Sequence, residues 1–511
     1  MARYFPDFEA FQQIARSGAG VIPVYRQLLA DRHTPVTAFE VLGRDAHAFL
    51  LESVVGGEKI GRYSFIATSP SLVYAATEGR ARITQAGRPA RDFETADPLH
   101  DLEQLMPKLK FHYDRKLPHF TGGLVGYAAY DLIRYYEGEK LSDPPADDRQ
   151  LPDVYFGLYG ELVVFDHVDK TIKVVANALV NADDAIADHP AIVERLRETY
   201  ADACRRVDQL VTRLQQPPTS RIGEIDASGA MRTDYAANLS REQFEANVRA
   251  GLEYIRAGDI FQFVPSLRLR MPSDAHPFDV YRALRVVNPS PFMFYLKTPA
   301  CTLIGSSPEI LCRVEGATVT TRPLAGTRRR GSTEAEDRKL EAELLADPKE
   351  RAEHIMLVDL HRNDVGRVSR VGSVVVSDCM TVERYSHVMH ITTNVSGQLA
   401  DGMTAMDALR VSLPVGTVSG APKIRAMQII DEVEPTRRGP YGGAVGYVDF
   451  AGNMDTCIAL RTIVWRHGVY DVQAGAGVVA DSVPASEYEE CINKARAMLK
   501  AVQIAEGGFG G

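Results

Sequence analysis

Cysteine and tryptophan are scarce in this chain of 511 residues, which has one Trp and six Cys: Cys204, Cys301, Cys312, Cys379, Cys457 and Cys491. No pair forms a Cys-x-x-Cys or falls at zinc-binding Cys/His spacing, so a zinc ribbon or a dithiol redox motif is excluded and reduced structural thiols are expected. None is framed as Gly-x-Cys-x-Gly, the sharp turn that exposes a nucleophile between strand and helix. Long apolar runs are also missing. No stretch approaches the roughly 20 residues that span a bilayer, and the start, Met1-Ala-Arg-Tyr-Phe-Pro6, has no signal-peptide core. Basic charge is short as well: 58 Lys and Arg face 67 Asp and Glu, a formal net charge of −9. With the signs mixed along the chain, there is no sustained basic field for nucleic acid or an anionic membrane. Neither Gly-x-x-x-x-Gly-Lys-[Ser/Thr] nor Gly-x-Gly-x-x-Gly occurs, so a nucleotide is not indicated. A soluble, cytoplasmic protein with no nucleic-acid or membrane partner is expected.

What is present is apolar residues, 45% of the chain, enough for one large core or two to three domains. Ser71-Leu-Val-Tyr-Ala-Ala, Gly160-Glu-Leu-Val-Val-Phe-Asp and Thr171-Ile-Lys-Val-Val-Ala read as strands. Residues 183–214 turn charged and helical in spacing, and the Pro-, Ser- and Gly-containing stretch 215–238 reads as a linker. These divide the chain into a first lobe over 20–214 and a second over 239–505. The second opens on a capping box, Ser240-Arg-Glu-Gln243, whose helix runs to Ala257 and stops at Gly258. Phe292-Met-Phe-Tyr-Leu, Thr302-Leu-Ile-Gly and Ala444-Val-Gly-Tyr-Val read as further strands. Asp347-Pro348 starts another helix, and a second capping box, Ser486-Glu-Tyr-Glu489, starts the last. Strands without a βαβ rhythm predict an α+β fold rich in antiparallel sheet.

Several side chains stand in places that need explaining. Glu353, Met356, Leu357 and Leu360 share one helical stripe, so a carboxylate lies among apolar residues and needs a cation, a metal or a shifted pKa. An Arg at the stripe edge is the structural alternative. Glu490 points away from the packed face formed by Tyr488, Ile492, Ala495, Leu499 and Val502, toward a cleft or toward solvent and Lys494 at i+4. Pro323-Leu-Ala-Gly326-Thr327 and Ala474-Gly475-Ala476-Gly477 offer backbone donors to an anion, or are tight turns. Arg461 interrupts an apolar strand and requires a carboxylate, from a ligand or from the protein. His390, among strand formers, is either a core histidine or a proton carrier.

Taken in order, Gly305-Ser-Ser-Pro-Glu309, Arg322-Pro-Leu-Ala-Gly-Thr327, Glu353-His-Ile-Met-Leu-Val-Asp-Leu-His-Arg-Asn-Asp364, Val388-Met-His-Ile391, Gly416-Thr-Val-Ser-Gly-Ala-Pro-Lys423, Asp455-Thr-Cys-Ile-Ala-Leu-Arg461, Gly475-Ala-Gly477 and Asn493-Lys-Ala495 resemble the chorismate-utilising enzymes, most closely the large subunits of anthranilate synthases. Leu50-Leu-Glu-Ser53 and Asn288-Pro-Ser-Pro-Phe-Met293 extend the likeness over most of the chain. The resemblance implies a two-lobed, sandwich-like core flanked by helices, and chorismate as a dicarboxylate substrate. It implies Mg²⁺ held by Glu353 and Glu490, with Gly326, Thr327, Tyr441, Arg461, Gly475, Ala476 and Gly477 on the substrate. Glu309 matches the acid that protonates the departing hydroxyl, and His390 the base that takes the ring proton. Thr417 and Lys423 match site-lining positions. Gln262 stands where isochorismate and salicylate synthases place a water-activating Lys, and Ala325 where aminodeoxychorismate synthase carries its Lys, which points to direct ammonia attack. Aminodeoxychorismate synthase component I is the alternative.

The resemblance further implies a glutamine amidotransferase partner subunit, because no cysteine here has the setting of a catalytic thiol, and a heterotetrameric assembly. It implies tryptophan as feedback inhibitor at Ser53, Pro291, Phe292 and Met293, with Phe292 where the family often has Tyr. Such inhibition couples distant parts of the chain as a two-state equilibrium.

Overall fold

The computed structural model describes residues 3–53, 61–141, 143–181, 190–218, 223–226, 234–384 and 388–508. Two antiparallel sheets, of 11 and 12 strands, carry the fold. The strand Thr171–Leu179, β-branched and almost wholly buried, shows why these segments extend: both of its faces meet packed layers. Between the sheets, Tyr25, Phe49, Val164, Phe294 and Leu303 of the first pack against Val125, Tyr127, Tyr155, Val445 and Cys457 of the second. The first sheet turns Leu267 and Val472 outward onto helices Arg241–Ala257, Pro277–Val287 and Pro484–Glu506. The second turns Leu311, Val319 and Val395 onto helices Pro348–Gly366 and Ala405–Ser412. The result is helix, sheet, sheet, helix: the α+β sandwich expected. Each fully buried Phe or Leu in these layers contributes about 1.5–3 kcal/mol.

Both sheets run across the division at 215–238. Ala48–Glu52 pairs with Phe292–Lys297 in the first sheet, and Gly123–Ala128 pairs with Ala444–Asp449 in the second. Part of the linker joins a sheet too, because Ala236 and Ala237 pair with Arg270 and Leu269.

Local signals show in the helix ends. Ser240 and Gln243 form the reciprocal capping box, and Gly258 closes that helix at φ 83°, a left-handed conformation suited to glycine. Asp347 caps Pro348–Gly366 by accepting from the Lys349 and Glu350 amides. Two expectations are corrected. The last helix starts at Pro484, where a fixed φ initiates the turn, and not at the Ser486 box. In Pro348–Gly366 the buried residues are His354, Leu357, His361, Asp364 and Val365, a stripe rotated from the one read by apolar spacing. Its polar members have partners: His354 Nε2 lies 2.6 Å from Thr393 Oγ1, and Lys423 Nζ lies 2.9 Å from Asp364 Oδ2. The helix expected over 183–214 is described as Pro190–Leu214, and residues 183–189 lie outside the described residues. Among the described residues, no helix is long and apolar enough to cross a membrane.

Candidate active site

Two strand pairs leave one sheet for the other, and the site is built where they cross. Thr302–Ser307 belongs to the first sheet and Ile310–Glu315 to the second, with Pro308 and Glu309 between them. Met454–Ile458 and Thr462–Arg466 make the opposite passage through Ala459–Arg461. The crossings are tied together: Ile458 N donates to Glu309 O (3.1 Å) and Ser306 N to Arg461 O (3.2 Å). Arg461 takes φ 47°, an uncommon backbone for a non-glycine residue and one that turns the chain at this corner.

Beside the crossings lies a cleft of about 1170 Å³. Its wall brings together Gln262, Glu309, Gly326, Thr327, Glu353, His390, Thr417, Tyr441, Arg461, Gly475, Gly477 and Glu490, residues drawn from both large sheets, the short strand Gln262–Phe263 and three helices. Ala325 and Pro291 also face it. Other predicted residues lie off the wall. Lys423 is held by Asp364 and the Val411 carbonyl (3.2 Å) beneath the helix. Ala476 is fully buried and spends its amide on Pro265 O. Phe292 and Met293 open a strand in which Met293 pairs with Glu52, so Ser53 lies one residue past that pairing. Glu52 is buried and accepts from Tyr281 OH (2.6 Å) and Arg285 Nη2 (3.0 Å).

Burial sets the charge states. The Glu309 carboxyl, 5% exposed, is pushed up to about 8 by desolvation, against the lowering effect of the Leu324 amide and Lys494. Its Oε1 is buried without a hydrogen-bond partner. A carboxyl protonated near neutrality, with one oxygen unmet by the protein, is suited to donate its proton to a bound acceptor. Burial moves His390 the opposite way, below the ordinary histidine value. Its Nδ1 lies 3.0 Å from the Gly326 carbonyl, which accepts, so the neutral ring carries its lone pair on Nε2.

The Arg461 guanidinium is pressed down in pKa by burial alone and forms no ion pair or hydrogen bond among the described residues. Also on the cleft wall, Glu353 is raised by burial first, then by Glu350 and Glu490, and it too has no ion-pair partner among the described residues. Glu487 is raised by burial and by Glu490. Among the described residues, no group of three His, Cys, Asp or Glu side chains stands ready to enclose a metal. A pair of crowded carboxylates suits Mg²⁺, which keeps several waters and takes one or two protein oxygens. The donor chemistry therefore fits that ion.

Sequence reading missed Lys494 as a wall residue. Its Nζ bridges Glu490 Oε1 (2.7 Å) and the Gly475 carbonyl (2.9 Å), joining the carboxylate cluster to the glycine-rich wall. The i+4 spacing from Glu490 was the available signal, and it is compatible with solvent as readily as with a cleft. Glu487, one turn before Glu490, carried the same ambiguity.

The chorismate binding enzyme family model matches residues 47–500. The chain belongs to this family. Anthranilate synthase component 1 of Acetivibrio thermocellus is 46% identical to it over 98% of the chain and 99% of the relative. The namesake from Pseudomonas aeruginosa is also 46% identical, with the same coverage. The crystal structure of anthranilate synthase component I from Streptococcus pneumoniae superposes with TM-score 0.74 and 37% identity, over 92% of the chain and 99% of that structure. The menaquinone-specific isochorismate synthase of Escherichia coli, at 17% identity and TM-score 0.66, shares the fold. This member of the chorismate-binding family is an enzyme, a lyase of the kind its nearly full-length relatives represent.

Proposed function

We propose that the cleft converts chorismate and ammonia into anthranilate and pyruvate, with Mg²⁺ as cofactor and in service of tryptophan synthesis. The observation that carries this reading is a pair of unmet charges on one cleft wall: among the described residues the buried Arg461 guanidinium has no carboxylate, and Glu353, crowded by Glu350 and Glu490, has no ion-pair partner. A dicarboxylate substrate with a divalent ion closes both at once. Glu353 and Glu490 would hold Mg²⁺, which supplies Lewis-acid polarisation of the ring carboxylate. Arg461 with the Gly475 and Gly477 wall receives the second carboxylate, and a guanidinium fork suits that geometry.

The ammonia lone pair forms a C–N bond at the ring carbon beside the carboxylate-bearing carbon. The ring hydroxyl leaves as water with the Glu309 proton, and the nitrogen sheds one of its own. His390 then removes the ring proton at the aminated carbon, the ring C–O bond breaks, and the enol fragment takes up a proton to leave as pyruvate while the ring becomes aromatic. Both proton carriers are needed, because neither hydroxide nor a ring carbanion forms readily near neutral pH. Gln262 cannot activate water as a Lys would, and Ala325 offers no amine for a covalent adduct. Together they favour direct ammonia attack and the ortho product.

Ammonia comes from glutamine through a separate amidotransferase subunit, since none of the six cysteines has the setting of a catalytic thiol. Tryptophan inhibits at Ser53, Pro291, Phe292 and Met293. Supporting this, Glu52 beside Ser53 is bound to helix Pro277–Val287, which leads directly into Asn288–Pro291 on the cleft wall. The test is the purified chain with chorismate, Mg²⁺ and ammonium chloride. It should release fluorescent ortho-aminobenzoate and pyruvate in equal amounts, use glutamine only with its partner, and slow with added tryptophan unless Ser53→Phe is present. A para or non-aromatic amino product without pyruvate would instead indicate aminodeoxychorismate synthase chemistry.

A further inference from the structure

Among the described residues, four side-chain atoms of cleft-wall residues are buried without a hydrogen-bond partner: Gln262 Oε1, Glu309 Oε1, Thr417 Oγ1 and Gln473 Oε1. The first three belong to positions already discussed, and Gln473 has no role in the reaction as described. It is 5% exposed, in strand Val469–Gly475, two residues before Gly475. Its orientation is set by a chain of bonds. Gln473 Nε2 donates to Ser266 Oγ (2.8 Å), and Ser266 Oγ donates to Glu434 Oε1 (2.8 Å), which also accepts from the Ser266 amide (2.7 Å). Arg438, itself buried, fixes Glu434 through Nε (2.9 Å) and Nη2 (2.6 Å). With its proton committed to Glu434, Ser266 can only accept from Gln473, so the amide cannot flip. Its oxygen is left as a fixed acceptor in need of a donor. Arg268, opposite in register, turns its Nη2 to Asp148; its Nη1 is likewise buried without a partner, and no hydrogen bond joins it to this oxygen.

We propose that Gln473 Oε1 accepts an N–H of the ammonia nucleophile and orients it in the cleft. This rests on the reaction proposed above and adds the site of its second substrate. Chorismate presents carboxylate and ether oxygens, all acceptors, and its ring hydroxyl must meet Glu309. Ammonia brings three N–H groups and one lone pair. An amide acceptor engages an N–H, leaves the lone pair free for carbon, and has no basicity with which to draw a proton from water.

The test is steady-state kinetics of the purified chain with ammonium chloride and chorismate varied in turn. Gln473→Met and Gln473→Leu should each raise KM for ammonium about tenfold, the worth of one hydrogen bond, with KM for chorismate within about twofold. Gln473→Glu keeps an acceptor oxygen and should hold KM for ammonium within about threefold of wild type. An unchanged ammonium KM in the Met and Leu variants, a rise in chorismate KM instead, or a Glu variant as impaired as the Met variant would overturn the assignment. If the wild-type chain forms no aminobenzoate from chorismate and ammonium, the reaction itself is wrong, a failure distinct from any variant result, and the assignment falls with it.

Discussion

Glu309 and His390 respond to the same burial in opposite senses, as the proposed acid and base roles require. Desolvation penalises charge, so it keeps the carboxyl protonated up to about pH 8 and the imidazole neutral below its ordinary range. An acid must hold its proton and a base must lack one, so both are in their working forms between these limits. At a fixed concentration of unprotonated ammonia, kcat/KM for chorismate should stay level near neutrality and fall as pH rises through about 8, where Glu309 of the free protein loses its proton. It should fall on the acid side only below the ordinary histidine value of about 6.5. Glu309→Gln should cost about 100-fold or more in kcat and remove the alkaline limb from what activity remains. An alkaline limb that survives in this variant contradicts the assignment.

At the scale of elements, the crossing strands place these groups, and their packing tolerates little change. Gly305 lies opposite Phe294, and a Cβ added there would meet the Phe294 ring at 1.9 Å. Gly305→Val should therefore displace a ring from the inter-sheet core and cost about 1–3 kcal/mol, read as a lowered denaturation midpoint in urea. An unchanged midpoint would mean that the sheets are packed more loosely than described. Elements of this kind were legible where the signal is local. The Ser240 capping box, Asp347-Pro348 and the alternating strands each depend on neighbours a few residues away. The rotated stripe of Pro348–Gly366 was not legible, because His354 and Asp364 are buried by virtue of Thr393 and Lys423, distant in sequence. The juxtaposition of Glu309 with Arg461 was equally invisible to periodicity, since it depends on two strands changing sheets. Only the order of motifs along the chain, through family resemblance, pointed to a shared site.

Across the whole molecule, no lobe owns a sheet. In each sheet the strands from before residues 215–238 form one block and those from after them another, joined at a single seam, so either half alone would expose an unpaired strand edge in both layers. A fragment covering residues 1–214 should lack a cooperative melting transition, whereas the full chain should melt in one. A separately folded fragment would contradict this interlocking. The net charge of −9 bears on the same scale. A dianionic substrate approaches an acidic protein whose cleft adds Glu353, Glu487 and Glu490, so binding depends on local cations to reverse the field. Calorimetric titration of chorismate into the chain, with and without Mg²⁺, tests this most directly. Tight binding should require Mg²⁺ and should weaken about 100-fold in Arg461→Met, as expected when a charged hydrogen-bonded contact of about 3 kcal/mol is lost. Equal affinity without Mg²⁺, or in Arg461→Met, would contradict the account.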